Sequence, residues 1–241
     1  LVLHGRARFR LGELREARAA LTDAVRTNSS KVDEARIYLA AVQAELGDVS
    51  SALAGVSQAL SGTLEDLARS EAHLLRGRLL LERGMFDQGE WDLDQASVAG
   101  LGMTAEAELE LLNWSIVYGE ETRAQDAIER LLENPRAGGR TETIALLVHQ
   151  ASEVWGNEKV ATMLERVNRS PWDRVARGEI ALARARLLDT AGDTSAARLQ
   201  ATEVASGLGR SAVDARLLLA DWQLQRARDL DTVYGVRVLL L

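Results

Sequence analysis

Residues 5–17, Gly-Arg-Ala-Arg-Phe-Arg-Leu-Gly-Glu-Leu-Arg-Glu-Ala, contain the pattern that decides the fold. The glycine in the middle of this stretch recurs about every 36 residues, at Gly12, Gly47, Gly84, Gly119, Gly156 and Gly192. Five residues after each glycine comes a small residue: Ala17, Ala52, Gly89, Ala124, Ala161 and Ala197. Seven residues before it come Gly5, Ala40, Gly77, Leu112, His149 and Ala185, which are mostly small. A fixed period of this length along the whole chain indicates a repeat protein.

Each repeat is predicted to be a pair of antiparallel helices. Between the glycines the apolar residues recur at intervals of three and four, and only two prolines interrupt the 241 residues. A glycine at the end of such a run can take the left-handed conformation that closes a helix. The residues that follow three of the glycines, Asp48, Asn157 and Asp193, are expected to cap the next helix. One hairpin cannot bury its apolar face alone, so neighbouring hairpins should stack.

This pattern resembles the tetratricopeptide repeat superfamily, with about six to seven degenerate repeats. The resemblance is closest in residues 5–17 followed by Leu21, Ala24 and Val25, and in the second repeat around Leu46-Gly47-Asp48. It is weakest in the fourth and fifth repeats, where Leu112 and His149 replace the small residue. The resemblance implies an all-α fold, a right-handed α-solenoid of antiparallel helix hairpins.

The sequence predicts one repeat array over residues 1–241, which we expect to be part of a longer chain. Its units are placed at about 1–31, 32–66, 67–103, 104–140, 141–172, 173–209 and, in part, 210–241. Thr232 to Leu241 would begin the second helix of the last unit. Asn134 to Arg140 is the most loop-like segment, and it is interpreted as a long turn between repeats, with a hinge as the alternative.

Composition argues against several classes of function. The net charge is −7, whereas a protein that binds a nucleic-acid duplex presents an excess of positive charge. The chain has no cysteine and no uncharged run long enough to span a bilayer. No phosphate-binding loop or nucleophile motif occurs, so we predict that the chain is not an enzyme and uses no cofactor or metal. The sequence does not distinguish between two locations of the protein, the bacterial cytoplasm and the periplasm or cell envelope.

The individual polar and aromatic residues have simple structural interpretations. His149 is predicted to be packed against a neighbour rather than to bind a metal. The acidic pairs Asp92/Asp94 and Asp229/Asp231 are predicted to lie on solvated helix faces. All five tryptophans are predicted to pack in the core. The preference for core packing is stronger for Trp91, Trp114 and Trp222. For Trp155 and Trp172 a role in binding is the closer alternative.

The resemblance implies that the first helix of each repeat lines a concave groove. Positions ten, six, three and two residues before each turn glycine would then face a protein or peptide partner. The candidate binding residues are Arg6, Phe9, Arg10, Ile37, Glu45, Leu74, Arg78, Glu82, Asn113, Gln150, Glu153, Arg186 and Asp189. An apolar floor with arginines and carboxylates beside it suits an amphipathic helix or an extended segment.

These features favour a protein-interaction scaffold that helps to assemble a larger bacterial complex. Two alternatives stay open: a regulatory peptide-sensing domain that gates a fused effector, and a periplasmic scaffold of an export, pilus or exopolysaccharide machine. No nucleic-acid partner is expected.

Overall fold

The computed structural model describes residues 1–27, 31–98 and 104–229. These ranges contain thirteen α-helices and no strand. The helices are α1 (Val2–Arg10), α2 (Leu14–Arg26), α3 (Val32–Glu45), α4 (Val49–Leu60), α5 (Asp66–Glu82), α6 (Phe86–Val98), α7 (Thr104–Tyr118), α8 (Glu121–Glu133), α9 (Thr141–Trp155), α10 (Asn157–Met163), α11 (Arg174–Thr190), α12 (Thr194–Ala205) and α13 (Arg210–Asp229). Two 3-10 helices, Pro135–Arg140 and Glu165–Arg169, flank α9 and α10. The all-α prediction is confirmed for this part of the chain.

The chain forms two compact units, Leu1–Trp114 and Ser115–Leu241. Each contains antiparallel helix pairs that follow the predicted repeats. The single array over residues 1–241 stays a prediction. The predicted helix from Thr232 and the residue Asp231 lie outside the described residues, as does the side chain of Asp229.

The turn glycines have the predicted conformation. Their φ angles are positive, from 72° at Gly84 to 93° at Gly192. At Gly12 and Gly47 an added Cβ would meet nothing within 4 Å, so the backbone conformation, not lack of space, selects glycine there. The turn glycines in the sequence therefore predicted where the first helix of each pair ends.

Aspartates cap two helices as predicted. The side chain of Asp48 accepts a hydrogen bond from the Ser51 amide (3.1 Å), and that of Asp193 accepts one from the Ala196 amide (3.0 Å). Hydrogen bonds from the side chain and amide of Ser51 lower the pKa of Asp48, and those from the Ala196 amide and the Ser195 hydroxyl lower the pKa of Asp193. The prediction for Asn157 was wrong: α10 begins at Asn157 itself, so its side chain is past the capping position and makes no cap.

Small residues lie where the paired helices cross. Ala52 and Ala197 are fully buried. In the third pair, a Cβ on Gly77 would lie 2.9 Å from the carbonyl oxygen of Gly89, and a Cβ on Gly89 would lie 3.0 Å from that of Gly77. The backbones of α5 and α6 therefore touch at this crossing, which only a side-chain-free residue permits.

The fifth repeat departs from the predicted register. The side chain of His149 is 71% exposed, with Nε2 3.9 Å from Glu153 Oε1, so the predicted packing of this histidine was wrong. The buried stripe of α9 passes through Ile144, Val148 and Ala151 instead. His149 falls outside that stripe, because the stripe follows helical periodicity rather than the distance from the glycine.

The segment from Asn134 to Arg140 is more ordered than predicted. Pro135–Arg140 is a 3-10 helix that packs on Trp172. Trp172 is 3% exposed, and its indole Nε1 donates to the Asn134 carbonyl (2.8 Å). The indole therefore anchors the segment by packing against it and satisfying a backbone carbonyl, and Ala137 is the residue of the segment that is buried.

Candidate functional site

The first helices of the N-terminal unit enclose a cavity of about 190 Å³. It lies among α1, α3 and α5, which contact one another in that order. Acidic, basic and apolar side chains all line it: Arg6, Lys31, Glu34, Ile37, Tyr38, Glu65, Leu67, Ala68 and Glu71. Three carboxylates face two cations, so the cavity carries an excess of one negative charge.

A chain of three side chains organises this cavity. The Arg6 guanidinium lies 5.0 Å from the centre of the Tyr38 ring, in a cation–π contact. The Tyr38 hydroxyl donates to Glu71 Oε2 (3.1 Å). Burial and the neighbouring Glu71 carboxylate raise the pKa of Tyr38 to about 12. The phenol is therefore a fixed hydrogen-bond donor that holds α1, α3 and α5 in register.

Of the candidate residues predicted in this unit, two line the cavity. Arg6 is half-buried there, and Ile37 is only 3% exposed, so Ile37 supplies the floor and little contact area. The others lie elsewhere on the unit. Phe9 and Leu74 are half-buried, whereas Arg10, Glu45 and Asn113 are exposed.

The structure brings Arg78 and Glu82 together, one turn apart on α5. Arg78 Nε lies 3.4 Å from Glu82 Oε1 and 4.0 Å from Glu110 Oε1 on α7. Burial raises the pKa of Glu110 although Arg78 opposes the shift. These three groups form a second polar patch on the first helices of the unit.

The candidate residues of the C-terminal unit lie on α9 and α11, which contact each other. Gln150, Glu153 and Arg186 are exposed, and Asp189 is half-buried. The cavity described in this unit is not lined by any of these four residues.

Sequence reasoning missed Tyr38 and Glu71. Neither residue stands at a position that the tetratricopeptide resemblance assigns to partner binding. Their roles depend on the lateral contact between α3 and α5, which no spacing within one repeat reveals. The sequence feature that could have indicated this site is the aromatic side chain of Tyr38, which directly follows the predicted candidate Ile37.

A larger cavity, of about 560 Å³, lies against α4, α5 and α6. Its lining includes Leu53, Leu80, Met85 and Trp91. Trp91 is 53% exposed, so the core position predicted for it was wrong. Trp114 and Trp222 are buried as predicted, Trp172 is buried as well, and Trp155 is half-buried.

Asp92 borders the same cavity and is buried, contrary to the predicted solvated position; Asp94 is exposed. Asp92 accepts from Arg76 Nε (2.7 Å) and Nη2 (2.8 Å), and from His73 Nδ1 (2.7 Å). The His73 ring in turn meets Trp91 edge-on at 5.7 Å. Burial alone would raise the pKa of Asp92, but the hydrogen bonds from His73 and Arg76 outweigh it and lower the pKa.

The described residues hold no group of three or more histidine, cysteine or carboxylate side chains that could bind a metal ion. Within the same ranges, no helix is both long and apolar enough to cross a membrane.

Successive helix hairpins closed by left-handed glycines define an α-helical repeat protein. Comparison with solved structures shows which known repeat proteins have a similar fold. The chain is similar to the C-terminal part of a TPR repeat-containing protein from Cytophaga hutchinsonii, with a TM-score of 0.50 and 13% identity over 85% of this chain and 78% of that one. It is also similar to a tetratricopeptide repeat protein from Parabacteroides merdae, with a TM-score of 0.48 and 16% identity over 91% of this chain and 96% of that one. No family model and no curated protein matches the sequence.

The chain has the fold of the tetratricopeptide repeat proteins. This confirms the predicted class, a helical solenoid. At 13% identity the likeness establishes the fold and leaves the partner to be argued from the residues.

Proposed function

We propose that the chain is a non-enzymatic protein-interaction scaffold that binds a segment of a protein partner on the face formed by its first helices. In this role it would help to assemble a larger bacterial complex. The supporting observation is the cavity among α1, α3 and α5, where an apolar floor meets charged walls. Such a surface suits a partner segment that is apolar on one side and carries basic groups on the other.

The charges support this choice of partner chemistry. The cavity is lined by three carboxylates and two cationic side chains, so its net charge is −1: Glu34, Glu65 and Glu71 against Arg6 and Lys31. Lys31 Nζ is already engaged by Glu34 Oε1 (3.0 Å), and Arg6 stacks on Tyr38. The exposed Glu65 is therefore the group best placed to pair with an incoming cation.

Charge reversal tests the proposal once a partner has been isolated by affinity capture. Glu65→Lys should weaken binding about tenfold or more without unfolding the chain, because the exposed Glu65 is the group proposed to pair with the basic group of the partner. Calorimetry on the isolated pair measures the change.

The matched control is Glu16→Lys, which makes the same charge change at an exposed position of the second helix α2. This variant should leave the affinity within about twofold. Loss of binding in Glu16→Lys with retention in Glu65→Lys would overturn the assignment to the first helices and leave the fold unaffected.

A further inference from the structure

The C-terminal unit holds a third cavity, of about 150 Å³, at the beginning of α13. Residues of α11, α12, α13, the loop between α12 and α13, and the 3-10 helix before α11 line it: Asn168, Arg174, Arg177, Gly178, Ala181, Glu203, Val204, Gly207, Leu208 and Ser211. None of these positions belongs to the candidate residues of the proposed partner-binding face. The cavity is therefore separate from those candidate residues, and phosphate binding there can be tested without a protein partner.

Ser211 borders this cavity with an unused hydroxyl. The residue is 3% exposed, and its side chain makes no hydrogen bond to any residue that the structure describes. A hydroxyl group can both donate and accept hydrogen bonds, and this one borders the cavity. It is therefore available to a polar group that occupies the cavity.

Two guanidinium groups supply positive charge. Arg174 Nη2 lies 3.4 Å from the carbonyl oxygen and from Oγ of Ser206, and Arg177 Nη1 donates to the Asn168 carbonyl (3.2 Å). These acceptors are uncharged, so neither guanidinium is neutralised by them. One carboxylate, Glu203, lines the same cavity and accepts from Asn168 Nδ2 (2.9 Å). The balance within the cavity is one positive charge.

The helix ends around the cavity also favour an anion. Ser211 lies in the first turn of the 20-residue helix α13, at the positive end of its dipole. The carbonyls at the end of α12, which would repel an anion, are covered: Arg216 donates to Ala205 O (3.1 Å) and to Gly207 O (3.3 Å).

The absence of a side chain at Gly178 leaves the Ser211 hydroxyl room. A Cβ on Gly178 would lie 2.8 Å from Ser211 Oγ. An alanine there would press the hydroxyl out of its present position. Gly178 therefore keeps the polar side of the cavity open.

We propose that this cavity binds a phosphate group, held by the guanidinium groups of Arg174 and Arg177, the Ser211 hydroxyl and the start of α13. Arginine matches the geometry of phosphate oxygens with its fork of N–H donors. The same chemistry would accept free inorganic phosphate or a phosphomonoester on a partner protein.

The test is a titration of the full chain, followed through the backbone amide resonances of Ser211 and Ala212. Inorganic phosphate should shift both resonances to saturation. Arg177→Gln and Ser211→Ala should each weaken binding, with a loss of about tenfold or more for the arginine. Glu203→Gln should strengthen binding, because it removes the opposing charge. Titration with N-acetyl-phosphoserine amide identifies the source: a tighter ester indicates a modified partner, and equal affinity indicates the free ion.

Arg226→Gln is the matched control, since it removes an equal charge from an exposed position on α13, fifteen residues beyond Ser211. It should leave the affinity unchanged. Gly178→Ala gives a second variant, expected to weaken binding with no change of charge. Resonances that do not shift with phosphate, an Arg226→Gln loss as large as that of Arg177→Gln, or a Glu203→Gln affinity that is unchanged or weaker would overturn the proposal. Circular dichroism of each variant checks that the helices are retained.

Discussion

At the scale of the residue, Asp92 is a buried carboxylate that lies in a cluster of hydrogen-bonded charged groups in the N-terminal unit. The residue is 1% exposed, and both carboxylate oxygens accept hydrogen bonds from Arg76 or His73. A buried carboxylate stabilises a fold only while its partners are present, and the loss of one partner leaves the others desolvated without compensation. The group joins two residues of α5 to one of α6.

Asp92→Asn should therefore lower the free energy of unfolding by about 3 kcal/mol near neutral pH. The folded state lowers the pKa of Asp92, so its contribution is complete above the ordinary carboxyl value of 3.8 and disappears as the pH falls through the lower folded value. The difference between wild type and variant should shrink accordingly in acid. Urea denaturation across this pH range measures it.

Asp94→Asn provides the control, two residues away at an exposed position of α6. It should change the stability by no more than about 0.5 kcal/mol. A loss of similar size in both variants would show that charge along α6, and not the buried cluster, carries the effect.

At the scale of the element, the backbones of α5 and α6 lie close together where the two helices cross. Each of Gly77 and Gly89 faces the carbonyl oxygen of the other. Glycine within a helix is normally unfavourable by about 1 kcal/mol relative to alanine. These two positions retain it because a methyl group has no space between the backbones.

Gly77→Ala and Gly89→Ala should each destabilise the chain by about 1–3 kcal/mol, because overpacking outweighs the gain in helix propensity. Gly55→Ala should instead stabilise it by up to about 1 kcal/mol. A Cβ at Gly55 would make an ordinary contact, 3.6 Å from the Cβ of Ala40. Thermal or denaturant unfolding of the three variants compares them, and stabilisation by Gly77→Ala would contradict the close crossing.

At the scale of the whole molecule, the repeats differ in how much helix they contain. Helix α10 has only seven residues and is followed by a five-residue 3-10 helix, whereas α11 has seventeen residues and seven buried ones. In a repeat protein each hairpin is stabilised mainly by its neighbours, so local stability follows local burial.

Native-state hydrogen exchange should show the amides of α10 exchanging well before those of α11, α3 and α5. Protection at α10 equal to that at α11 would indicate that the C-terminal unit opens as a single cooperative block. The comparison is internal to one experiment, so it needs no variant.

The repeat could be predicted from the amino-acid sequence alone, because a left-handed turn requires glycine and a close helix crossing requires a small side chain wherever each occurs. Those local requirements placed the six turns, the caps at Asp48 and Asp193, and the buried alanines Ala52 and Ala197. Burial of Asp92, exposure of Trp91 and His149, and the cavity at Tyr38 were decided only by the tertiary structure. Each of these depends on which helix packs alongside another and at what rotation. Tyr38 and Glu71 are 33 positions apart, and their hydrogen bond joins neighbouring repeats. The pattern of residues within a single repeat therefore does not predict it.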